Sequence, residues 1–271
     1  MVPICVPSLG EAGKSSTLNK IVLEEEVAKN TYVFVYSFDI DNYRAAYPSL
    51  NFVDVGETKN LPNKRNKILE YAEDNNWKNI IMIDDDIKGF AIKGINDEKY
   101  TRLSTFSEFI KYMENVANQL NGDYTMISPR WNFISTDKLN EGNLLIEYSQ
   151  LANLFYINME KMKGNRFNQM MLEDIDMYIS LVLKGHKLYK LRQIQAYSTL
   201  AEAGGYQVYM DVSTRYMKGI EQLHNKYKNS ESFIYATKLG YAGMKKPAFV
   251  RWLKEYHPEV KIHDLPIIEG F

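Results

Sequence analysis

The chain has almost no cysteine and no excess of either charge. Cys5 is the single cysteine among 271 residues, so a disulfide within the chain is excluded. Such sparse cysteine is typical of a reducing compartment. The 33 basic and 34 acidic residues nearly cancel, so any nucleic-acid partner must meet a local basic surface. No apolar run reaches the roughly 18 residues that cross a bilayer. The chain opens on a strand-like run rather than a signal peptide. We therefore expect a cytoplasmic protein with no membrane partner.

Short apolar runs alternate with amphipathic stretches through most of the chain. The apolar runs predict strands at residues 2–6, 32–36, 51–55, 80–83 and 124–128. The amphipathic stretches predict a helix that starts near Ser15 and further helices at 62–76, 106–120 and 173–184, the last ending at Gly185. This order predicts an α/β fold whose mostly parallel, wound sheet is flanked by helices. The sequence after Gly204-Gly205 is helical and aromatic. We expect a core at 1–205 and a helical extension at 206–271 that belongs to the same domain.

Four apolar residues, Ile80-Ile81-Met82-Ile83, run directly into Asp84-Asp85-Asp86. A run without alternation predicts a strand buried on both faces, and ligands of open α/β sheets bind beyond the carboxyl ends of such strands. Three adjacent carboxylates repel one another unless a cation lies among them. Mg²⁺ and Mn²⁺ prefer carboxylate oxygens and share them with phosphates. The junction thus predicts a metal-diphosphate site, and an acidic solvated turn is the alternative.

The loop Ser8-Leu9-Gly10-Glu11-Ala12-Gly13-Lys14-Ser15 nearly matches a phosphate-binding P-loop, which would indicate a nucleotide kinase or NTPase. A P-loop requires glycine at the position of Ser8, because its amides fold inward around phosphate. The alternative is a turn into a helix that Ser15 caps.

The order of several motifs resembles that of GT-A-fold glycosyltransferases, over roughly residues 1–205. Three elements of that family are matched in order: the opening loop by Pro7-Ser8-Leu9-Gly10, a helical motif by Lys64-Arg65-Asn66, and the Asp-x-Asp motif by the acidic triplet. Glu173-Asp174 resembles the acidic pair that opens a later helix in these enzymes, and Gly185 resembles its end. The resemblance implies a metal-dependent hexosyltransferase with a UDP-sugar donor, UDP-glucose being favoured, and an inverting outcome.

The resemblance also assigns roles to individual residues. The expected donor-binding residues are Pro7, Ser8, Leu9, Asp39, Arg65, Asp84 and Asp85. Asp86 is expected to hold Mn²⁺ or Mg²⁺ between itself and the diphosphate, with Asp84 holding the ribose hydroxyls or a metal-bound water. His224 is a further candidate metal ligand, although a surface or core role is the alternative. Arg65 is expected to contact a phosphate or an aspartate, and Asp39 is either a donor contact or a turn residue.

The acidic pair is expected to supply the catalytic base. Asp174 would accept the proton of the acceptor hydroxyl, and Glu173 would position the acceptor. Acidic residues are also favoured in the first turn of any helix, which is the alternative explanation. Asp176 lies two residues further on and competes for the same role.

The acceptor is predicted from a narrower resemblance, to enzymes by which bacteriophages glycosylate hydroxymethylated pyrimidines in DNA. It rests on the small size, the Pro-Ser-Leu-Gly opening and the stretch from Met82 to Phe90. Basic and aromatic residues alternate near the C-terminus, at Lys245, Lys246, Phe249, Arg251, Trp252 and Lys254. Such a patch would follow a phosphate backbone and stack on bases, or is an ordinary amphipathic helix with a basic face. Double-stranded DNA with hydroxymethylcytosine or its glucosylated form is therefore the favoured acceptor. A polysaccharide or protein acceptor, or a non-catalytic binding module, remains open.

Overall fold

The computed structural model describes residues 1–57, 61–131, 139–146, 153–168, 172–198, 212–230, 234–236, 242–244 and 246–270. The strands are β1 (Ile4–Pro7), β2 (Thr31–Val35), β3 (Asn51–Asp54), β4 (Asn79–Ile83), β5 (Ile87–Ile92), β6 (Thr101–Arg102), β7 (Met126–Trp131), β8 (Leu145–Ile146), β9 (Leu154–Asn158), β10 (Leu188–Ser198), β11 (Ile234–Ala236) and β12 (Ala242–Met244). The helices are α1 (Ser16–Ile21), α2 (Glu25–Lys29), α3 (Ile40–Ala46), α4 (Leu61–Asp74), α5 (Phe106–Gln119), α6 (Met159–Met162), α7 (Glu173–Leu183), α8 (Val212–Lys226) and α9 (Lys246–Tyr256).

One ten-stranded sheet organises the molecule, in the order β3-β2-β1-β4-β9-β7-β10-β5-β6, with β8 paired to β10. The strands from β3 to β4 are mutually parallel, as the alternating strands and helices predicted. Beyond them β9 runs antiparallel to both β4 and β7, while β7 and β10 are again parallel. The α/β class with helices flanking a large sheet is confirmed. Its second half is mixed rather than parallel.

Strand β4 is buried on both faces, as its unbroken apolar run predicted. Ile81 and Ile83 pack on one side with residues of α1 and α5, a cluster we call the α1–α5 core. Ile80 and Met82 pack on the other side with residues of α4 and α7, the α4–α7 core. Because successive side chains of a strand point to opposite faces, Asp84 continues toward the α4–α7 side and Asp85 toward the α1–α5 side.

The sequence did not reveal two of the longer strands. β5 begins directly after the acidic triplet, and β10 pairs antiparallel with it along Ile87–Ile92. Both were missed because neither shows a regular alternation, and β10 carries polar residues at buried positions such as Gln193 and Gln195. The predicted strand at 124–128 is also displaced, since β7 runs from Met126 to Trp131.

The described helices after residue 205 pack against the α4–α7 core. Leu223 of α8 and Phe249, Trp252 and Leu253 of α9 are 0–1% exposed and belong to it. The expectation that Phe249 and Trp252 stack on bases is therefore wrong, because both rings fill the core. Arg251 and Lys254 on the same helix are exposed.

Some predictions fall outside the described residues, namely those on Gly204, Gly205 and Lys245. The boundary at residue 205 remains a prediction. Within the described ranges, no helix combines the length and the apolar character that crossing a bilayer requires.

Candidate active site

The acidic triplet is held in place by the start of α1. The Thr17 hydroxyl donates to the Asp84 carbonyl (2.7 Å) and accepts from the Ile87 amide (2.9 Å). The Ser15 hydroxyl donates to the Asp85 carbonyl (2.7 Å) and caps α1 by accepting from the Leu18 amide (3.0 Å). Ser15 therefore acts as the helix cap that the alternative to a P-loop predicted.

Asp85 points toward the first loop rather than toward solvent. The Ser8 hydroxyl donates to its carboxylate in a very short hydrogen bond, and lies 2.6 Å from the Tyr43 hydroxyl. Lys64 donates to the Ser8 carbonyl, and its ammonium lies 4.0 Å from the centre of the Tyr36 ring. Asp85 and Lys64 thus support the first loop from beneath.

Burial shifts both ionisable groups of this support. It raises the pKa of Asp85 to about 6, against the opposing effects of the Ser8 hydrogen bond and the Lys64 charge. It lowers the pKa of Lys64 to about 7, although the charges of Asp85 and Asp39 act in the opposite direction. Both pKa values lie near neutral pH, so a small change in the surroundings changes the protonation of either group.

The predicted donor residues of the first two strands lie together. Pro7 ends β1, and Ser8 and Leu9 are 2% and 5% exposed. The Asp39 carboxylate accepts from the Gly10 amide (3.0 Å) and from the Asn42 side chain (3.0 Å). Gly10 has φ of 70°, a conformation that glycine adopts without strain. Asp39 therefore fixes the loop after β1 from the start of α3.

Arg65 joins the acidic triplet to the acidic pair of α7. Its Nη2 lies 3.0 Å and 3.3 Å from the two Asp84 oxygens, and its Nη1 lies 3.0 Å from Glu173 Oε1. The Arg65 side chain is 3% exposed, against 25% for Asp84 and 12% for Glu173. A nearly buried guanidinium thus contacts two carboxylates that reach the surface of the site.

The protonation of these carboxylates reflects their crowding. Burial raises the pKa of Glu173 to about 7, and the charges of Asp174 and Asp84 add to that rise while Arg65 opposes it. Burial also raises the pKa of Asp84, again against the effect of Arg65. A carboxyl group with a pKa near neutrality is suited to exchanging protons.

Helix α4 also fastens the segment that leads into α7. Asn66 donates to the Phe167 carbonyl and accepts from the Phe167 amide, both at 2.8 Å. Arg166 forms a two-point ion pair with Glu73 (2.6 Å and 3.1 Å). The sequence Lys64-Arg65-Asn66 therefore holds three parts of the site: the first loop, the acidic pair and the segment before α7.

Helix α7 begins from a strained residue. Leu172 has φ of 57° and ψ of 37°, a left-handed conformation that costs free energy for any residue with a branched side chain. Glu173 and Asp174 follow it directly.

The Asp176 side chain turns away into the structure, where it is 1% exposed and accepts from Lys226 (2.6 Å) and Tyr227 (2.7 Å). Asp176 therefore anchors α8, and Asp174 as the base stays a prediction.

Sequence reasoning missed two cations near the acidic pair, Arg130 on β7 and Lys190 on β10. Met126 and Leu188 belong to the α4–α7 core, so Arg130 and Lys190 point to the same side by strand alternation. Burial and the like charge of Arg130 lower the pKa of Lys190 to about 8, and the charge of Asp174 opposes this. No local sequence signal marks these residues, because strand register alone brings them together.

The expected metal ligands do not form a ready-made cage. Among the described residues, no group of three or more His, Cys, Asp or Glu side chains is placed to hold a metal ion. Asp84 pairs with Arg65, Asp85 with Ser8, and His224 lies on α8, the helix anchored at Asp176. Arg65 and Lys64 supply positive charge beside the triplet, and a metal ion at the triplet stays a prediction. The arrangement still fits an ion held by one or two carboxylates and substrate phosphates, as is usual for Mg²⁺.

Two cavities in the described part of the molecule lie away from this cluster. One of about 590 Å³ is lined at the opposite edge of the sheet by residues such as Asn79, Asn121 and Asn158. Another, of about 530 Å³, lies beside β3. The predicted site residues therefore lie at an open edge of the sheet and do not line either of these two cavities.

One family model matches most of the chain, and several solved structures resemble its fold. A family model described as TET-Associated Glycosyltransferase matches residues 2–205. A search of curated proteins finds no match. Among solved structures, GalNAc-T7 with UDP, GalNAc and Mn²⁺ has a TM-score of 0.51 at 10% identity, over 96% of this chain and 57% of that chain. TarS 1–349 of S. aureus has a TM-score of 0.48 at 12% identity, over 96% of this chain and 73% of that chain.

Proposed function

Because the chain belongs to the TET-associated glycosyltransferase family, we propose that it transfers glucose from UDP-glucose to a hydroxyl group of modified DNA. The observation that carries this proposal is the position of Arg65 between Asp84 and Glu173. One residue links the strand end expected to bind the donor with the helix expected to bind the acceptor. Transfer between two substrates requires the donor-binding part and the acceptor-binding part of the site to be held at a fixed separation.

The donor half consists of the ends of β1, β2 and β4. The first loop, supported by Asp39, Asp85 and Lys64, would receive the nucleoside and ribose. Arg65 and Asp84 would face the diphosphate and the ribose or a metal-bound water. This assignment follows the rule that ligands of open α/β sheets bind beyond the carboxyl ends of the parallel strands.

Asp86, with Asp84 next to it, would hold Mn²⁺ or Mg²⁺ against the diphosphate. The ion would neutralise the charge that develops on the leaving diphosphate, which is the Lewis-acid role of metals. His224 has no contact with the triplet among the hydrogen bonds and ion pairs of the described residues, so we leave it outside the proposed ligand set.

The acceptor half is the start of α7. The acceptor hydroxyl would attack the anomeric carbon as the bond to the diphosphate breaks, and Asp174 would take the hydroxyl proton. Glu173, held by Arg65 at 3.0 Å, would position the acceptor. A direct attack of this kind inverts the anomeric configuration.

The hydroxyl is proposed to belong to hydroxymethylcytosine in duplex DNA or to its glucosylated form. The association with TET in the name of the family is compatible with a hydroxymethylated base. Arg251 and Lys254 on the exposed face of α9 would contact the phosphate backbone. A polysaccharide or protein acceptor is the second candidate, since the site chemistry is the same.

The deciding experiment incubates the enzyme and Mn²⁺ with radiolabelled UDP-glucose and three duplexes, unmodified, hydroxymethylated and glucosylated. Label in the hydroxymethylated duplex alone identifies addition of the first sugar, and label in the glucosylated duplex alone identifies addition of the second. Transfer to a saccharide or protein, with no label in any duplex, would overturn the DNA acceptor and leave the transferase.

A further inference from the structure

The cavity at the edge of the sheet opposite the acidic cluster takes no part in the transfer reaction described above. Its volume is about 590 Å³, within the roughly 300–1,000 Å³ that is usual for small-molecule sites. It is lined by Asn79, the first residue of β4, whereas Asp84 follows the last. Because a strand rises roughly 3.3 Å per residue, these two residues lie about 17 Å apart. A small molecule in this cavity is therefore held away from the reacting groups.

The lining of this cavity is rich in side-chain amides and balanced in charge. Five asparagines lie after α4, in and after the last turn of α5, and at the ends of β4 and β9, namely Asn76, Asn118, Asn121, Asn79 and Asn158. Two lysines and two glutamates also line it, Lys78, Lys163, Glu73 and Glu160, so their charges cancel. A charged ligand gains little from a lining without net charge. The cavity is therefore suited to a ligand that is polar and neutral.

The fold itself uses part of this set of asparagines. Asn76 and Asn121 follow α4 and α5 in a left-handed conformation, with φ of 54° and 47°, which asparagine tolerates better than most residues. This role uses their backbone. The Asn158 side chain is used as well, since it accepts from the Lys161 amide and donates to the Gly122 carbonyl, both at 3.3 Å. Asn158 therefore shapes the cavity and has little capacity left for a ligand.

Other amide groups on the cavity retain their hydrogen-bonding capacity. Across the described ranges, no hydrogen bond involves the side chain of Asn118 or of Asn121. Asn79 accepts from the Tyr124 hydroxyl (3.0 Å) through Oδ1, and its own N–H groups donate to none of the residues that the structure describes. Each asparagine amide offers two donors and an acceptor. Three side chains thus present both kinds of group to the same cavity.

A tryptophan ring supplies an apolar wall. Trp77 lines the cavity and is half-buried. Its ring packs against Tyr32, with 4.7 Å between ring centres, and against Tyr71, with 5.5 Å. These two tyrosines line the second cavity, beside β3. The Trp77 ring is therefore held in place by a cluster of aromatic residues and does not have to be ordered when a ligand binds.

We propose that this cavity is a non-catalytic binding site for a short neutral saccharide. Every sugar hydroxyl both donates and accepts a hydrogen bond, which matches the amides of Asn79, Asn118 and Asn121. The C–H face of a pyranose is apolar and packs on an aromatic ring such as that of Trp77. The inference goes beyond the proposed function and does not depend on it. A second saccharide contact of this kind retains the protein on material that already carries sugar.

The test uses the full chain and four neutral trisaccharides, namely maltotriose, cellotriose, mannotriose and tri-N-acetylchitotriose. Saturation-transfer NMR and calorimetric titration measure binding. At least one trisaccharide is expected to bind saturably, with a Kd of roughly 0.1–1 mM, and to bind equally well when UDP and Mn²⁺ are saturating. No saturable binding by any of the four, at concentrations well above that range, would overturn the site.

Variants assign the binding to this cavity. Asn118→Ala and Asn121→Asp each remove amide donors and are expected to weaken binding about three- to tenfold. Trp77→Leu is expected to weaken it about tenfold, whereas Trp77→Phe keeps an aromatic ring and stays near wild type. Asn19→Ala is the matched control, because Asn19 is an exposed asparagine on α1 and lines neither cavity. Asn118 is exposed on α5, so its replacement tests the site even where Trp77→Leu disturbs the fold.

Two results would show that the saccharide binds elsewhere. Wild-type affinity in both Asn118→Ala and Trp77→Leu would overturn the cavity as the site. Displacement of the saccharide by UDP and Mn²⁺ would also overturn it, by moving the binding to the catalytic edge. Failure of the proposed function is seen separately. A protein that binds a trisaccharide through these residues, yet neither hydrolyses UDP-glucose nor transfers from it, keeps the saccharide site and loses only the proposed reaction.

Discussion

The guanidinium of Arg65 lies 3.0 Å from Glu173 and 3.0 Å from Asp84, and is itself 3% exposed. Its positive charge neutralises the charges of two carboxylates from distant parts of the chain. Removing a buried partner of this kind leaves uncompensated charge, and such losses cost about 3–5 kcal/mol. The residue therefore carries both stability and the geometry of the site.

Arg65→Met is expected to lower the free energy of unfolding by about 3–5 kcal/mol and to abolish transfer. Arg65→Lys should keep charge but not the two-sided contact, because an ammonium lacks the planar fork of arginine. Urea unfolding and single-turnover transfer measure the two effects. Arg44→Met is the control, since it breaks an exposed ion pair with Asp41 on α3, away from the acidic cluster. Normal transfer by Arg65→Met would show that the two halves do not depend on this bridge.

Asp86→Ala is expected to eliminate nearly all transfer while leaving the fold intact, since a partly exposed carboxylate adds little packing. The variant should also lose the part of nucleotide affinity that depends on Mn²⁺. Calorimetric titration of UDP with and without Mn²⁺ measures this loss. Asp41→Ala, whose side chain is 92% exposed on α3, is the control. Wild-type turnover of Asp86→Ala in Mn²⁺ would remove Asp86 from the metal site.

Asp174→Asn keeps the shape of the side chain but cannot take a proton, so the rate constant of transfer should fall by roughly 10²–10⁴-fold. UDP affinity should hardly change. Asp176→Asn on the same helix is the matched contrast, because its carboxylate is buried against Lys226 and Tyr227. That variant should lose stability, by about 1–3 kcal/mol, with little effect on the rate of the folded enzyme. The reverse pattern would make Asp176 the base.

The pKa of Glu173, raised to about 7, predicts a pH dependence of stability. A carboxyl group with a folded pKa above its unfolded value binds protons more tightly in the folded state. Its stabilising contribution is complete below the ordinary value of 4.5 and is lost as pH rises through about 7. Wild-type protein should therefore lose stability relative to Glu173→Gln between those two values. Urea unfolding at pH 4.5, 6, 7 and 8 tests this, with Glu73→Gln as control. A wild-type protein that gains stability relative to Glu173→Gln as pH rises would contradict it.

The parts of the site that lie within one stretch of sequence could be predicted. The burial of β4 on both faces, the acidic triplet at its end and the helix that begins at Glu173 follow from local patterns. The end of α7 shortly before Gly185, whose φ is 80°, follows from local pattern as well. Residues that are neighbours in the sequence determine the burial and the backbone conformation on which these features depend.

The contacts between distant segments could not be predicted. The sequence allowed Arg65 to contact a phosphate or an aspartate, and the structure pairs it with Asp84 and also with Glu173. Arg130 and Lys190 meet through a register between β7 and β10, a strand that no alternation revealed. For the aromatic residues of α9 the sequence left a base-stacking surface and an ordinary amphipathic helix both open, because an amphipathic pattern does not say which neighbour covers its apolar face.

The anchor between Asp176 and α8 changes where the functional unit ends. The match to the family stops at residue 205, yet Lys226 and Tyr227, which lie beyond it, hold a carboxylate one turn after the acidic pair. A chain cut at that limit would retain every proposed catalytic group while exposing the apolar faces of α4 and α7 and leaving Asp176 buried without its cation. The helix that carries the acidic pair therefore depends on residues beyond the family match, and the limit of that match is not the end of an independently folding piece.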